Sequence, residues 1–264
     1  MLKSALIILC FVTTSINLSA SITSKKMINA IDYIKVSQNF LYAVKVGDAT
    51  TTYIDTLKQA NPEILASQLN TDPKRLVFWL NIYNGYTQVL LKNNPDQYKT
   101  RNSFFSNRQI PIAGQHLSLD DIEHGILRHS KIKWSEGYLN KLFPSSFEKT
   151  FRIQKLDYRI HFALNCGAKS CPAIAFYDVE NINEQLALAT KVYLEGECDF
   201  NSLKNVVHVP AIMGWFRNDF GGKKQMVAIL KQNEIIPKNS YPKIHFKKYD
   251  WTLYLDNYKS VHIQ

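Results

Sequence analysis

The sequence predicts a helix-rich α+β fold, a single domain with a small, mainly antiparallel sheet. Three observations lead there. Apolar residues recur at helical spacing over several long segments, strand-like alternation is confined to short runs, and no regular strand–helix–strand order runs through the chain. Hydrophobic residues make up 45% of the 264 positions and aromatics 12%, enough apolar surface to offset chain entropy, which excludes a disordered chain. No fixed-period repeat or low-complexity tract divides it.

Residues 1–20 read as a secretory signal peptide, with Lys3 as the positive start, Ala5 to Val12 as the apolar run and Leu18-Ser19-Ala20 as a small-residue cleavage site. The run is too short for a hydrocarbon core, which needs about 20 residues. Cys10 lies within it, without the small residues that precede a lipid-modified cysteine. The expectation is an exported chain, periplasmic or secreted, whose residues 21–264 fold as one globular domain and act as a monomer. The whole chain carries a charge of +10, and cleavage would remove only Lys3, so a weak attraction to anionic surfaces is expected. The basic residues are scattered, with short pairs such as Lys223-Lys224 and Lys247-Lys248, and no specific nucleic-acid role is expected.

Between positions 21 and 68, groups such as Phe40-Leu41-Val44 and Tyr53-Ile54-Leu57 suggest surface helices. Thr71-Asp72-Pro73 marks a helix start, threonine capping and proline in the first turn, and Asn93-Asn94-Pro95 marks its end. Apolar residues from Leu76 to Leu91 occupy nearly every face, which places this helix at the centre of the domain. Asn81 and Asn84 must then be buried on one face and need fixed partners, either a loop backbone or a group in a functional site.

A second helix opens at Ser118, where Ser118 and Asp121 fit a reciprocal capping box. Asp120, His124 and Arg128 share one face at a spacing of four, and Glu123 flanks the apolar stripe of Leu119, Ile122 and Ile126. Arg159 to Asn165 alternates with period two and reads as a strand that ends in a loop from Cys166 to Pro172, with a glycine at 167 for an unusual backbone angle. Further helices are predicted over Glu180–Leu194, from Pro210 through Phe220, and over Lys223–Gln232; strands at Val206–Val209, Ile244–Phe246 and Trp251–Tyr254.

The segments Phe78-Trp79-Leu80-Asn81-Ile82-Tyr83-Asn84, Asp121-Ile122-Glu123-His124-Gly125-Ile126-Leu127-Arg128 and Arg159-Ile160-His161-Phe162-Ala163-Leu164-Asn165-Cys166-Gly167, with Ser170-Cys171-Pro172, strongly resemble domain-of-unknown-function family 547. The resemblance continues more weakly in Trp215-Phe216-Arg217-Asn218-Asp219-Phe220 and Tyr249-Asp250-Trp251, so it covers about residues 70–255. A cysteine-hydrolase role is what the resemblance suggests.

That chemistry needs a thiolate, a histidine to move the proton and a third group to hold the imidazole. Cys166 is the expected nucleophile, exposed at a glycine-containing loop, with Arg159, Lys169 and His161 as positive neighbours that lower its pKa. His161 and His124 are alternative bases, and Glu123 or an asparagine of the central helix the orienting group. In a straight strand His161 and Cys166 point to opposite faces, so their meeting requires a bend at Asn165. Asn81, Asn84, Arg128, Arg159, Asn165 and Cys171 are the candidate substrate-binding residues.

The expected activity is that of a cysteine-type hydrolase or acyl-transferase, acting without a cofactor on an amide or thioester of a small molecule or peptide in the cell envelope. A cysteine-peptidase-like arrangement would suit it. Two other readings stay open: a noncatalytic envelope binding module, and a thiol redox protein using Cys166 and Cys171. With Cys198 these make three cysteines beyond the leader, an odd number that leaves at least one thiol free even if the other two are bridged. No metal is expected, because no ligand spacing of the H-E-x-x-H or structural-zinc type is present.

Overall fold

A computed structural model describes residues 31–259; the expected leader at residues 1–20 lies outside the described residues. The described residues begin with three helices. In α1 (Tyr33–Val46) the Asp32 side chain accepts the Lys35 N–H at 3.0 Å, and Gly47, at φ 80°, ends the helix in the left-handed region. α2 (Thr51–Lys58) follows, then α3 (Pro62–Gln68), which Asn61 caps by accepting from the Glu63 and Ile64 N–H groups. These helices are less peripheral than their mixed pattern suggests. Phe40 and Leu41 are fully buried because α1 packs along α4 (Asp72–Asn93), where Gly85 leaves the space that the Phe40 ring fills.

The central helix α4 is buried on nearly every face from Leu76 to Gln88. Its start differs in one detail: Thr71 makes no side-chain cap, and the Asp72 carboxylate instead accepts the backbone N–H groups of Gln154 (2.8 and 3.0 Å) and Lys155 (3.0 Å), tying the helix to a distant loop. A 3-10 turn (Pro95–Thr100) and α5 (Arg101–Ser106) lead into a hairpin of β1 (Ile110–Ile112) and β2 (Gln115–Leu117). Ala113 and Gly114 turn it, both at positive φ. Strands of three residues carry too little pattern to stand out in sequence.

At Ser118 the capping box forms as expected, each partner accepting the other's N–H at 3.0 Å. The helix it opens is π-helical over Asp121–Leu127, with the Arg128 N–H reaching back to the Glu123 carbonyl and Ser130 to Gly125, both at 2.8 Å.

Beyond α6 (Ser146–Phe151) comes the largest correction. Arg159–Asn165 is not a strand: Tyr158–Phe162 forms a 3-10 turn and the rest is irregular. Two local interactions outweigh the alternation. The Asp157 carboxylate accepts the Arg159 N–H (3.0 Å) and also binds its guanidinium, which winds the chain into a turn; Asn84 takes the backbone groups of Ala163 and Asn165 that a neighbouring strand would otherwise pair.

The remainder forms α7 (Ile182–Glu197), then a three-stranded sheet in the order β3 (Asp199–Asn201), β4 (Val206–Val209), β5 (Lys243–Phe246). β3 and β4 are antiparallel; β4 and β5 are parallel. Between β4 and β5, α8 (Ala211–Trp215) stops short of the predicted Phe220, and α9 (Gly222–Gln232) follows. Trp251–Tyr254 is likewise not a strand. It makes one bridge, Leu253 to Ala168, because its neighbour is the irregular cysteine loop.

The protein is thus α+β and helix-rich, with small, mainly antiparallel sheets. One apolar core surrounds α4; a second joins Phe162 to Val207, Met213, Phe220 and Leu230. Among the described residues no helix is long and apolar enough to cross a membrane.

Candidate functional site

Two buried asparagines, Asn84 and Asn165, build the cysteine loop. The Asn84 amide donates to the Ala163 carbonyl (3.0 Å) and accepts the Asn165 N–H (2.9 Å). The Asn165 side chain in turn donates to the Pro172 carbonyl (2.8 Å) and accepts the Gly167 N–H (3.0 Å), closing the loop on itself around Gly167 at φ 84°. Asn81 does the same one turn earlier, exchanging both amide groups with the backbone of Tyr177. All three are fully buried with their polar groups committed to backbone, so they position loops and do not line the cavity.

The loop's outer edge pairs with the chain near the C-terminus: Lys169 and Ser170 donate to the Thr252 and Asp250 carbonyls, and Tyr254 to that of Gly167. This register delivers the Tyr249 hydroxyl to both sulfurs, 3.3 Å from Cys166 Sγ and 3.2 Å from Cys171 Sγ. The Cys166 N–H also donates to Cys171 Sγ at 3.0 Å. Both are free thiols, Cys171 buried and Cys166 half-buried at the wall of a cavity of about 440 Å³.

Cys166 does not have the lowered pKa expected from basic neighbours. The adjoining Cys171 sulfur and burial push it well above the usual thiol range. Arg159 is held by Asp157 and by Asn183, and it does not line the cavity. Cys171 is buried too, yet hydrogen bonds from Cys166, from the Tyr249 hydroxyl and from loop N–H groups lower it. The third cysteine, Cys198, packs against the second core, where burial pushes its thiol up to about 12.

The same cavity holds the other catalytic candidates, His161, His124 and Glu123. His161 Nε2 lies 2.9 Å from Asp219 Oδ2, and its ring stacks on Phe216 at 4.0 Å between centroids. Among the described residues Nδ1 has no partner. Burial keeps this imidazole below the ordinary histidine range although Asp219 pulls it up, so it is neutral at pH 7. Burial opposes the charge on Asp219 as well, but His161 and Arg128 overcome it and hold the carboxyl below its usual value.

Arg128 is fully buried beneath this pair. Its Nε donates to Asp219 Oδ2 at 2.6 Å, its Nη1 lies 3.0 Å from His124 Nδ1, and its guanidinium lies 4.4 Å from the Phe216 ring centre. His124 Nε2 faces Asp120 at 3.4 Å, so both its nitrogens are engaged. Lys133 in turn donates to both Asp120 oxygens at 2.9 Å. Glu123 accepts from the Tyr83 hydroxyl at 3.1 Å.

Residues 66–194 match the model of a family described as "Protein of unknown function, DUF547". The chain carries a DUF547 region. No curated protein and no solved structure matches it. The DUF547 match includes Asn81, Asn84, Glu123, His124, Arg128, His161, Cys166 and Cys171, but Asp219 and Tyr249 lie beyond it, so the chain after the matched region completes the site.

Those two residues are what reading the sequence missed. Asp219 carried a signal: an acid inside the aromatic run Trp215-Phe216-Arg217-Asn218-Asp219-Phe220 has to find a buried partner. Tyr249 carried only the weak resemblance of Tyr249-Asp250-Trp251, because its place depends on how the C-terminal segment pairs with the loop.

Proposed function

We propose that the protein is a cysteine-type hydrolase or acyl-transferase acting on an amide or thioester in the cell envelope, with Cys166 as nucleophile, His161 as base and Asp219 as the group that orients it. The observation that carries this reading is His161, held at 2.9 Å by the buried Asp219, on the wall of the cavity that Cys166 also lines.

With Nε2 held by Asp219, the neutral ring presents Nδ1 as the proton acceptor. His124, with both nitrogens bonded, is the weaker choice of base. Because Cys166 rests as a thiol, its proton leaves during the attack: the sulfur bonds to the acyl carbon, the proton passes to His161 Nδ1, and the imidazolium returns it to the departing thiol or amine. Water or another acceptor then takes the acyl group. Burial keeps the Tyr249 hydroxyl protonated, which suits it to donate to the oxyanion beside the sulfur. The aromatic wall of Trp215, Phe216 and Trp251 suits an apolar or flat acyl group.

A thiol redox role is the second reading, favoured by the contact of both sulfurs with one hydroxyl. The test is release of thiol or amine from a panel of acyl thioesters and amides. Cys166→Ala is expected to abolish turnover and Cys171→Ser to retain it. Turnover that survives Cys166→Ala sinks the hydrolase; loss in both cysteine variants, with dithiol oxidation in the wild type, selects the redox role.

A further inference from the structure

We propose that the loop spanning residues 131–143 is a docking element for the surface of an anionic lipid bilayer. Five large apolar side chains in this stretch face water: Trp134 (76% exposed), Tyr138 (58%), Leu139 (49%), Leu142 (85%) and Phe143 (92%). Single exposed apolar residues are ordinary; five in one short loop mark an interaction site. Exposures this high mean that the side chains stand clear of the surface, a shape suited to a fluid that closes around them rather than to a flat protein face. Tryptophan and tyrosine beside leucine and phenylalanine also match the composition favoured where headgroups meet acyl chains.

Part of the loop's backbone is internally bonded, which holds its shape. Lys131 and Asn140 form an antiparallel bridge, the Ile132 N–H donates to Leu139 O (2.9 Å) and the Tyr138 N–H to Ser135 O (2.8 Å). The buried Ser135 hydroxyl donates to Ile132 O at 2.8 Å and accepts the Leu139 N–H at 3.2 Å. The peptide N–H groups of Trp134, Leu142 and Phe143 carry no such bond among the described residues, which places them at headgroup depth, where water and lipid oxygens satisfy them while the side chains reach inward.

Within the loop, Lys133 and Lys141 are neutralised by Asp120 and Glu148, and Glu136 faces Arg217. The pull toward anionic lipid comes instead from the chain's overall charge of +10, whose reach is about one Debye length and shrinks as salt rises. The loop is also tied to the cavity. The Asn218 backbone and side chain donate to the Glu136 and Gly137 carbonyls at 2.9 and 2.8 Å, next to Asp219, and Lys133 lines the cavity itself. A bilayer engaged by the loop thus lies beside the cavity.

The test is co-sedimentation with vesicles of phosphatidylcholine containing about 30% phosphatidylglycerol, with tryptophan emission read alongside. The protein is expected to sediment with these vesicles, less with phosphatidylcholine alone and less at high salt, with a blue-shifted emission that Trp134→Phe removes. A Leu142→Ser, Phe143→Ser double variant, both changes at exposed positions, is expected to weaken binding by about tenfold or more while its circular dichroism stays unchanged. Three results overturn the proposal: no sedimentation with the anionic vesicles, equal sedimentation of the double variant, or a concentration-dependent dimer that the double variant abolishes, which would assign the loop to a second copy of the chain.

Discussion

Replacing Arg128 by methionine tests the charged centre beneath the site. The side chain is fully buried, and its partner Asp219 has a fully buried side chain too. Removing one member of a buried pair leaves the other charge uncompensated, at about 3–5 kcal/mol. The lower end applies here, because Arg128 Nη2 is itself a buried donor with no partner among the described residues, and its removal relieves part of the loss. The effect has a pH signature. In the wild type the Asp219 carboxyl is held below its unfolded value, so its contribution is present above about pH 4 and lost as pH falls through the folded value. Without Arg128, one of the two groups that offset burial is gone, so the value rises, the charged form is less favoured at neutral pH, and protonation relieves part of the loss. Urea unfolding is therefore expected to show a gap of about 3 kcal/mol at pH 7 that narrows toward pH 4. An Arg128→Met, Asp219→Leu double variant should recover much of the loss. A gap independent of pH, or a double variant as unstable as the two single losses combined, would refute the reasoning.

Asn84→Leu leaves the Ala163 carbonyl and the Asn165 N–H unpaired and is expected to cost about 3 kcal/mol, with faster hydrogen exchange at Asn165; exchange unchanged there would show that the loop does not depend on the amide. His161 titrates below its unfolded value, so as pH falls below about 6.5 the unfolded chain takes up a proton that the folded site refuses, and stability drops. His161→Gln should flatten that slope in urea titrations between neutral and mildly acid pH. Cys171→Ser removes the first cause of the raised Cys166 thiol and is expected to speed alkylation of Cys166 at pH 7 several-fold, read by peptide mapping; an unchanged rate would contradict the assigned cause.

Much of the scaffold could be read from the chain because its signals are local. The apolar run of α4 and the Ser118–Asp121 box each act within a few residues, and each appears where expected. The Arg159–Asn165 segment did not follow its alternation because the interactions that decide it come partly from far away, Asn84 lying 81 positions from Asn165. The burial of Asn81 and Asn84 was legible, and the structure gives them loop backbone as partners. The convergence of Cys166, His161, His124 and Glu123 on one cavity could only be expected. Asp219 reaches His161, and Tyr249 the cavity, through tertiary packing, against a second core and in a C-terminal segment whose pairing no local pattern encodes.

In the proposed reaction Cys166 and His161 act together on an acyl group. Intact-mass spectrometry after rapid mixing with an aryl thioester measures this directly. The expected result is an acyl adduct that peptide mapping places on Cys166, forming about 100-fold or more slowly in His161→Ala and also slowed in Asp219→Asn. An adduct confined to Cys198, or one that forms on Cys166 at the same rate without His161, would contradict it.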